Sequence, residues 1–212
     1  MDTQAHWAQI YETKSPDETS WYESHLQTSL DWISDAATDH SASIIDVGGG
    51  ESTLIDDLLV RGYSALTVLD LAGAAIKKSQ DRLERAAKSV NWIVGDVTTI
   101  AFPVNTYNIW HDRAVFHFLT NPEQRLAYIR QTTSALKIGG QVVMATFGPQ
   151  GPQKCSGLDT NRYDAESLSR EMGPRFRLIR SSTVLHHTPK GTTQQFLYCQ
   201  FSFSPPQKGI TP

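Results

Sequence analysis

The stretch Ser43-Ile44-Ile45-Asp46-Val47-Gly48-Gly49-Gly50-Glu51-Ser52 opens as a β-branched apolar run, the pattern of a strand buried on both faces. Three glycines break it, and from Ser52 the spacing of Leu54, Ile55, Leu58 and Leu59 is helical. Strand, glycine turn and helix make the opening unit of a doubly wound α/β domain, whose ligands bind at the carboxyl ends of the strands. Gly48 and Gly50 fit the first two positions of a G-x-G-x-x-G dinucleotide fingerprint, but Thr53 stands at the third, where glycine lets helix and strand pack closely. Asp46 precedes the turn, where it would repel a pyrophosphate. The pattern suits a ligand without phosphates at this turn, and a cationic one fits.

Working outward, Ala65-Leu66-Thr67-Val68-Leu69-Asp70 reads as a second strand. It ends in a carboxylate about 20 residues beyond the glycines, the place from which an acid takes both hydroxyls of a ribose. Leu71 follows and can pack on an adenine face. After a helix over 74–87, a third strand over 90–97 ends in Asp96-Val97. Asp96 can accept from an exocyclic amine such as adenine N6, with the Val97 amide at a ring nitrogen. A fourth strand, Tyr107 to His111, leads into His111-Asp112-Arg113-Ala114-Val115-Phe116-His117. Asn121-Pro122-Glu123 starts a helix through Leu126, Ile129 and Leu136, stopped by Gly139-Gly140 before a fifth strand, Gln141 to Phe147. The loop from Gly148 to Arg162 is expected to form a substrate wall. A helix over 165–172 precedes a hairpin, Arg177 to His187 and Thr193 to Phe203.

Ahead of the core, Trp7, Ile10 and Tyr11 share a helix face, and Trp21 and Trp32 follow. Trp7, Tyr11 and Trp21 read either as a lid over the glycine turn or as cover for the sheet; Trp32 reads as core. The expected division is a helical lid segment over 1–40, a main domain over 41–204 and a disordered tail over 205–212.

Composition narrows the class. The 212 residues carry a net charge of −3, so no basic field points to nucleic acid or acidic membranes. The apolar runs fall short of the roughly 20 residues of a membrane span, and the start lacks signal-peptide character. Cys155 and Cys199, far apart, make neither a metal site nor a disulfide framework. A cytoplasmic protein without metal is the expectation.

These features together resemble the class I S-adenosylmethionine-dependent methyltransferases, over about Ile44 to Phe203. The D-x-G-x-G turn from Asp46 to Gly50, Asp70, the Asp96-Val97 pair, Gly139-Gly140 and the last two strands fall in that family's order. The resemblance implies a Rossmann-like seven-stranded sheet, mostly parallel with a C-terminal antiparallel hairpin. It also implies S-adenosyl-L-methionine as cofactor, S-adenosyl-L-homocysteine as product, and Trp7, Tyr11 and Trp21 closing over them. Asp112-Arg113-Ala114 lacks the N/D-P-P-Y/F motif of amide- and adenine-nitrogen methylases. The expected acceptor is therefore a small molecule, with a protein lysine as the alternative enzyme reading and a non-catalytic cofactor-binding module as a further one. A nicotinamide oxidoreductase is disfavoured by Asp46 and Thr53. Asp112 and His117 are the candidates beside the acceptor, His117 because imidazole titrates near neutrality. Against this, Asp112 can pair internally with Arg113 and His117 can simply pack in the helix.

Overall fold

A computed structural model describes residues 3–205, so the expected disordered tail lies, beyond Pro205, outside the described residues. Helix α1 (Thr3–Thr13) and helix α2 (Gln27–Ala36) precede the sheet. Strand β1 (Ile44–Val47), helix α3 (Leu54–Val60), strand β2 (Leu66–Asp70), helix α4 (Gly73–Leu83) and strand β3 (Val90–Val94) follow. Next come strand β4 (Tyr107–Arg113), helix α5 (Pro122–Ala135) and strand β5 (Leu136–Phe147). A small hairpin of β6 (Lys154–Cys155) and β7 (Leu158–Asp159) leads to helix α6 (Ala165–Met172) and strands β8 (Phe176–His187) and β9 (Thr193–Phe203). The main sheet has seven strands in the order β3-β2-β1-β4-β5-β9-β8. Strands β1 to β5 pair in parallel and β9 runs antiparallel to both β5 and β8.

β1 lies between β2 and β4, with Val47 beside Leu69 on one side and Asp112 on the other. The chain winds outward from β1 in opposite directions, which opens a crevice at the strand tips there. Side chains alternate across the sheet. Ile45 and Val47 join Trp110, Val142 and Met144 in one buried layer, while Ile44 joins Ile109, Val143 and Leu30 and Ile33 of α2 in the other.

Several boundaries differ from expectation. α3 begins at Leu54 because Ser52 and Thr53 are used otherwise: the Ser52 hydroxyl accepts from the Leu54 amide at 3.2 Å, and the Thr53 hydroxyl donates to the Ser24 carbonyl at 2.9 Å. β3 ends at Val94, and Gly95 donates to the Asp70 carbonyl at 2.9 Å, so Asp96 sits on a turn beyond the strand. β4 continues to Arg113 because Asp112 and Arg113 pair with Met144 and Ala145. The triplet Leu126, Ile129, Leu136 does not mark the buried face of α5. Leu126 is 56% exposed, Leu136 already belongs to β5, and Tyr128, Thr132 and Ala135 point inward. Gly139-Gly140 forms an irregularity within β5, between the Tyr107–Leu136 and Ile109–Gln141 pairs.

Candidate active site

At the tip of β1 the amides of Gly48 and Gly49 donate to the Leu69 carbonyl at 2.7 and 3.2 Å, which folds the turn onto β2. Gly48 has φ +72, and a Cβ there would lie 2.1 Å from Val115 Cγ2. A Cβ on Gly50 would meet Asp70 Oδ2 at 2.7 Å and the Tyr11 hydroxyl at 3.2 Å. Gly50 therefore admits Asp70 to the turn without itself lining the cavity beyond it.

That cavity, of about 400 Å³, is of the size that binds small molecules. Gly48, Asp70, Leu71, Asp96 and Val97 line it from the strand tips, and Trp7, Tyr11 and Trp21 from the N-terminal segment. Trp7 meets Trp21 and Phe118 edge-on at 5.6 and 5.1 Å. Asp70 is buried, and its Oδ1 accepts from the Ala72 amide at 2.7 Å. Burial, with the Asp46 and Glu51 carboxylates adding to it, raises its pKa to about 7. Asp96 accepts from the Thr98 amide and hydroxyl through Oδ1, at 2.8 and 2.7 Å.

Asp46 lies outside this cavity. It lines a smaller one, of about 40 Å³, that shares Gly48, Trp21 and Arg113 with the larger. His111 Nδ1 stands 2.7 Å from Asp46 Oδ1, His111 Nε2 stands 2.9 Å from the Ser29 hydroxyl, and Ser29 meets the Tyr198 hydroxyl at 3.2 Å. Since a carboxylate only accepts, His111 donates from Nδ1 to Asp46, while Nε2 shares its hydrogen bond with the Ser29 hydroxyl. Asp46 Oδ2 is left buried without a partner, an acceptor that a ligand's ammonium would satisfy. With the Asp70 carboxyl at a strand tip and the Gly48 turn, this orphan makes the residues fit an amino-acid-bearing nucleoside.

Asp112 and His117 line neither cavity. Asp112 accepts from the Val115 and Phe116 amides at 2.9 and 3.4 Å and from the Tyr128 hydroxyl at 2.6 Å, and burial raises its pKa to about 6. It braces a turn in which Ala114 takes φ +72, a conformation costing a residue with Cβ on the order of 1 kcal/mol. The alternative of an Asp112–Arg113 ion pair is not realised; Arg113 reaches the Trp21 carbonyl and Glu23 instead. His117 is fully buried, stacked on Phe147 with centroids 4.2 Å apart, and its Nδ1 accepts from the Phe147 amide at 3.1 Å. Burial, with the Arg113 charge adding to it, lowers its pKa to about 3. An imidazole with one nitrogen so engaged is a poor proton acceptor at neutral pH. These two residues hold the turn that carries Arg113, Ala114, Val115 and Phe118 into the cavity.

Phe147, Cys155 and Phe196 complete the far wall. The loop after β5 was expected there and contributes Cys155, whose thiol pKa is raised by burial. Phe196 is not among the sequence candidates, and Arg113 is there only as an ion-pair partner for Asp112. Among the described residues no group of three His, Cys, Asp or Glu is placed to hold a metal, and no helix is long and apolar enough to cross a membrane.

Residues 44–140 match a family model described as a methyltransferase domain, and they hold the glycine turn and both strand-tip acids. That match places a methyltransferase domain over these residues. Similar proteins include the ubiquinone/menaquinone biosynthesis C-methyltransferase UbiE of Roseobacter denitrificans, 27% identical over 121 residues, 56% of this chain and 46% of that protein. EEF1A lysine methyltransferase 2 of Mus musculus is 23% identical over 154 residues, 66% of this chain and 63% of that protein. The chain thus spans about half to two thirds of the length of these curated relatives. Among solved structures, one described for the conversion of a disulfide bond into a thioacetal group during echinomycin biosynthesis has the same fold. Its TM-score is 0.77 at 14% identity, over 95% of this chain and 93% of that one. The 1,6-didemethyltoxoflavin-N1-methyltransferase of Burkholderia thailandensis, with bound S-adenosylhomocysteine, gives 0.70 at 15% identity, over 84% and 78%.

Proposed function

We propose that this chain transfers a methyl group from S-adenosylmethionine to a small-molecule acceptor. The observation that carries the reading is the convergence of Gly48, Asp70, Asp96 and Val97 on one cavity faced by Trp7, Tyr11 and Trp21. In this reading Asp70 accepts from the ribose hydroxyls, Asp96 and the Val97 amide meet the adenine edge, and Leu71 packs on its face. Asp46 Oδ2 accepts from the amino group. The cofactor supplies a methyl on a sulfonium, whose leaving group is a neutral thioether.

The protein's own contribution is placement and dryness. The Gly48 turn and the braced turn from Arg113 to Phe118 set the walls between which acceptor and methyl must align, and such orientation supplies much of the rate. The aromatic rings of Trp7, Trp21 and Phe118 exclude water and are attractive to a cation. With His117 outside the cavity, the reading uses an acceptor that arrives with its lone pair available.

The lysine alternative draws support from the likeness to EEF1A lysine methyltransferase 2. The Arg113 guanidinium in the cavity wall opposes an incoming lysine ammonium, and for that reason we favour a small acceptor. Calorimetric titration of S-adenosylhomocysteine and NAD into the protein, with Asp70→Ala alongside, tests the cofactor assignment. Binding of the first, lost in the variant, is expected; preference for NAD would overturn it. Tight binding of S-adenosylmethionine without turnover across thiols, amines, hydroxy compounds and a protein acceptor would instead mark a binding module.

A further inference from the structure

Arg113 closes β4, and only 7% of its side chain is exposed. Among the described residues lining the large cavity it is the one cation, and it stands at the β4 side of the switch point. The buried acid Asp70 and Asp96 stand on the other side, over β2 and β3. The third acid of the lining, Asp159, is 72% exposed and pairs with Lys154 at 3.0 Å.

The hydrogen bonding of the guanidinium is incomplete. Nη1 donates to the Trp21 carbonyl at 2.9 Å. Nη2 reaches Glu23 Oε2 only at 3.4 Å, and that glutamate side chain is 42% exposed. Nε is buried with no partner. Nε and Nη2 form the flat edge on which a carboxylate binds through two parallel bonds. The face of the group is covered by Phe196, with Cζ 4.7 Å from the ring centroid. Burying a charge with unmade bonds is costly, so a buried guanidinium with this edge underused points to a ligand that completes it.

We propose that Arg113 anchors a carboxylate carried by the acceptor, with the acceptor's apolar body against Phe118, Phe147 and Phe196. The inference rests on the methyl-transfer reading and narrows its substrate to small apolar carboxylates. Glu23 occupies the edge weakly and gives way to the incoming anion.

The test uses the protein saturated with S-adenosylhomocysteine and two probes of one shape, benzoate and benzamide, compared by calorimetry. Benzoate is expected to bind about tenfold or more tightly, the worth of a charge-assisted bidentate contact. Arg113→Gln should abolish the preference. Arg113→Lys, which keeps the charge but not the planar edge, should reduce it. Glu23→Gln, at an exposed position, should strengthen benzoate binding a few-fold by removing the competitor. Equal binding of the two probes, no binding of benzoate to the saturated protein, or a preference that survives both Arg113 variants would overturn the proposal. Were Arg113→Gln to weaken S-adenosylhomocysteine about tenfold and leave the benzoate preference intact, the edge would belong to the cofactor's own carboxylate and the acceptor assignment would fall. Failure of the wild-type protein to bind S-adenosylhomocysteine is a different result, and defeats the methyl-transfer reading itself.

Discussion

Burial raises the Asp70 carboxyl to about 7, and the Asp46 and Glu51 charges push the same way against the Ala72 and Gly50 amides that donate to it. An unfolded carboxyl titrates near 4. Between about pH 4 and 7 the unfolded chain therefore binds fewer protons than the folded one, and stability falls as pH rises. Asp70→Asn should be more stable than the wild type at pH 8, on the order of 1–2 kcal/mol after the loss of one amide bond. The gap should close towards pH 4 in urea titrations. Ribose hydroxyls donate best to the ionised form. S-adenosylhomocysteine affinity should thus rise from pH 6 to 8 in the wild type and stay low and flat in the variant. At Gly48 both the φ of +72 and the 2.1 Å approach to Val115 forbid a side chain. Gly48→Ala should cost about 2 kcal/mol or more and displace the Arg113–Phe118 turn, seen as lost cofactor binding by calorimetry. These glycine and acid positions were legible in the sequence because backbone sterics and strand-tip placement are local properties.

At the scale of elements, α1 is an eleven-residue helix with Ile10 and Tyr11 as its buried residues. A helix so short is marginal alone, so it depends on Ala72 and Ala75, which pack with Tyr11, and on the rings of Trp21 and Phe118, which meet Trp7. Bound S-adenosylhomocysteine should slow tryptic cleavage after Lys14 several-fold, as binding opposes local opening. Trp7→Ala should remove that protection while leaving the urea midpoint nearly unchanged; protection that survives would dissociate α1 from the ligand. α5 shows where periodicity misleads. Its inward face is set by Tyr128, whose hydroxyl accepts from Trp110 Nε1 at 2.8 Å and donates to Asp112. The leucine and isoleucine spacing carried no trace of that polar contact.

Across the whole molecule, the chain Asp46–His111–Ser29–Tyr198 ties β1, β4, α2 and β9 together beneath the glycine turn. Removing the His111 donor leaves the buried Asp46 carboxyl without its hydrogen-bond partner. His111→Leu should therefore destabilise the protein by about 3 kcal/mol, and adding Asp46→Asn should recover part of that loss. A urea double-mutant cycle checks this; additive effects would mean that the two residues are not coupled.

The order of strands and helices, the glycine turn, the two strand-tip acids and the closing hairpin were all determined by the sequence itself. Each follows from residues close in the chain, through periodicity, backbone freedom and turn chemistry. The tertiary structure alone decided which side chains face the ligand. β4 runs two residues further than its apolar pattern, and alternation along a strand sends Asp112 into the core and Arg113 into the cavity. Phe196 reaches the same cavity from β9, a strand far along the chain that the sheet register sets against β5. A one-residue choice of face and a pairing across such a distance are properties of packing, and no local stretch of the sequence contains them.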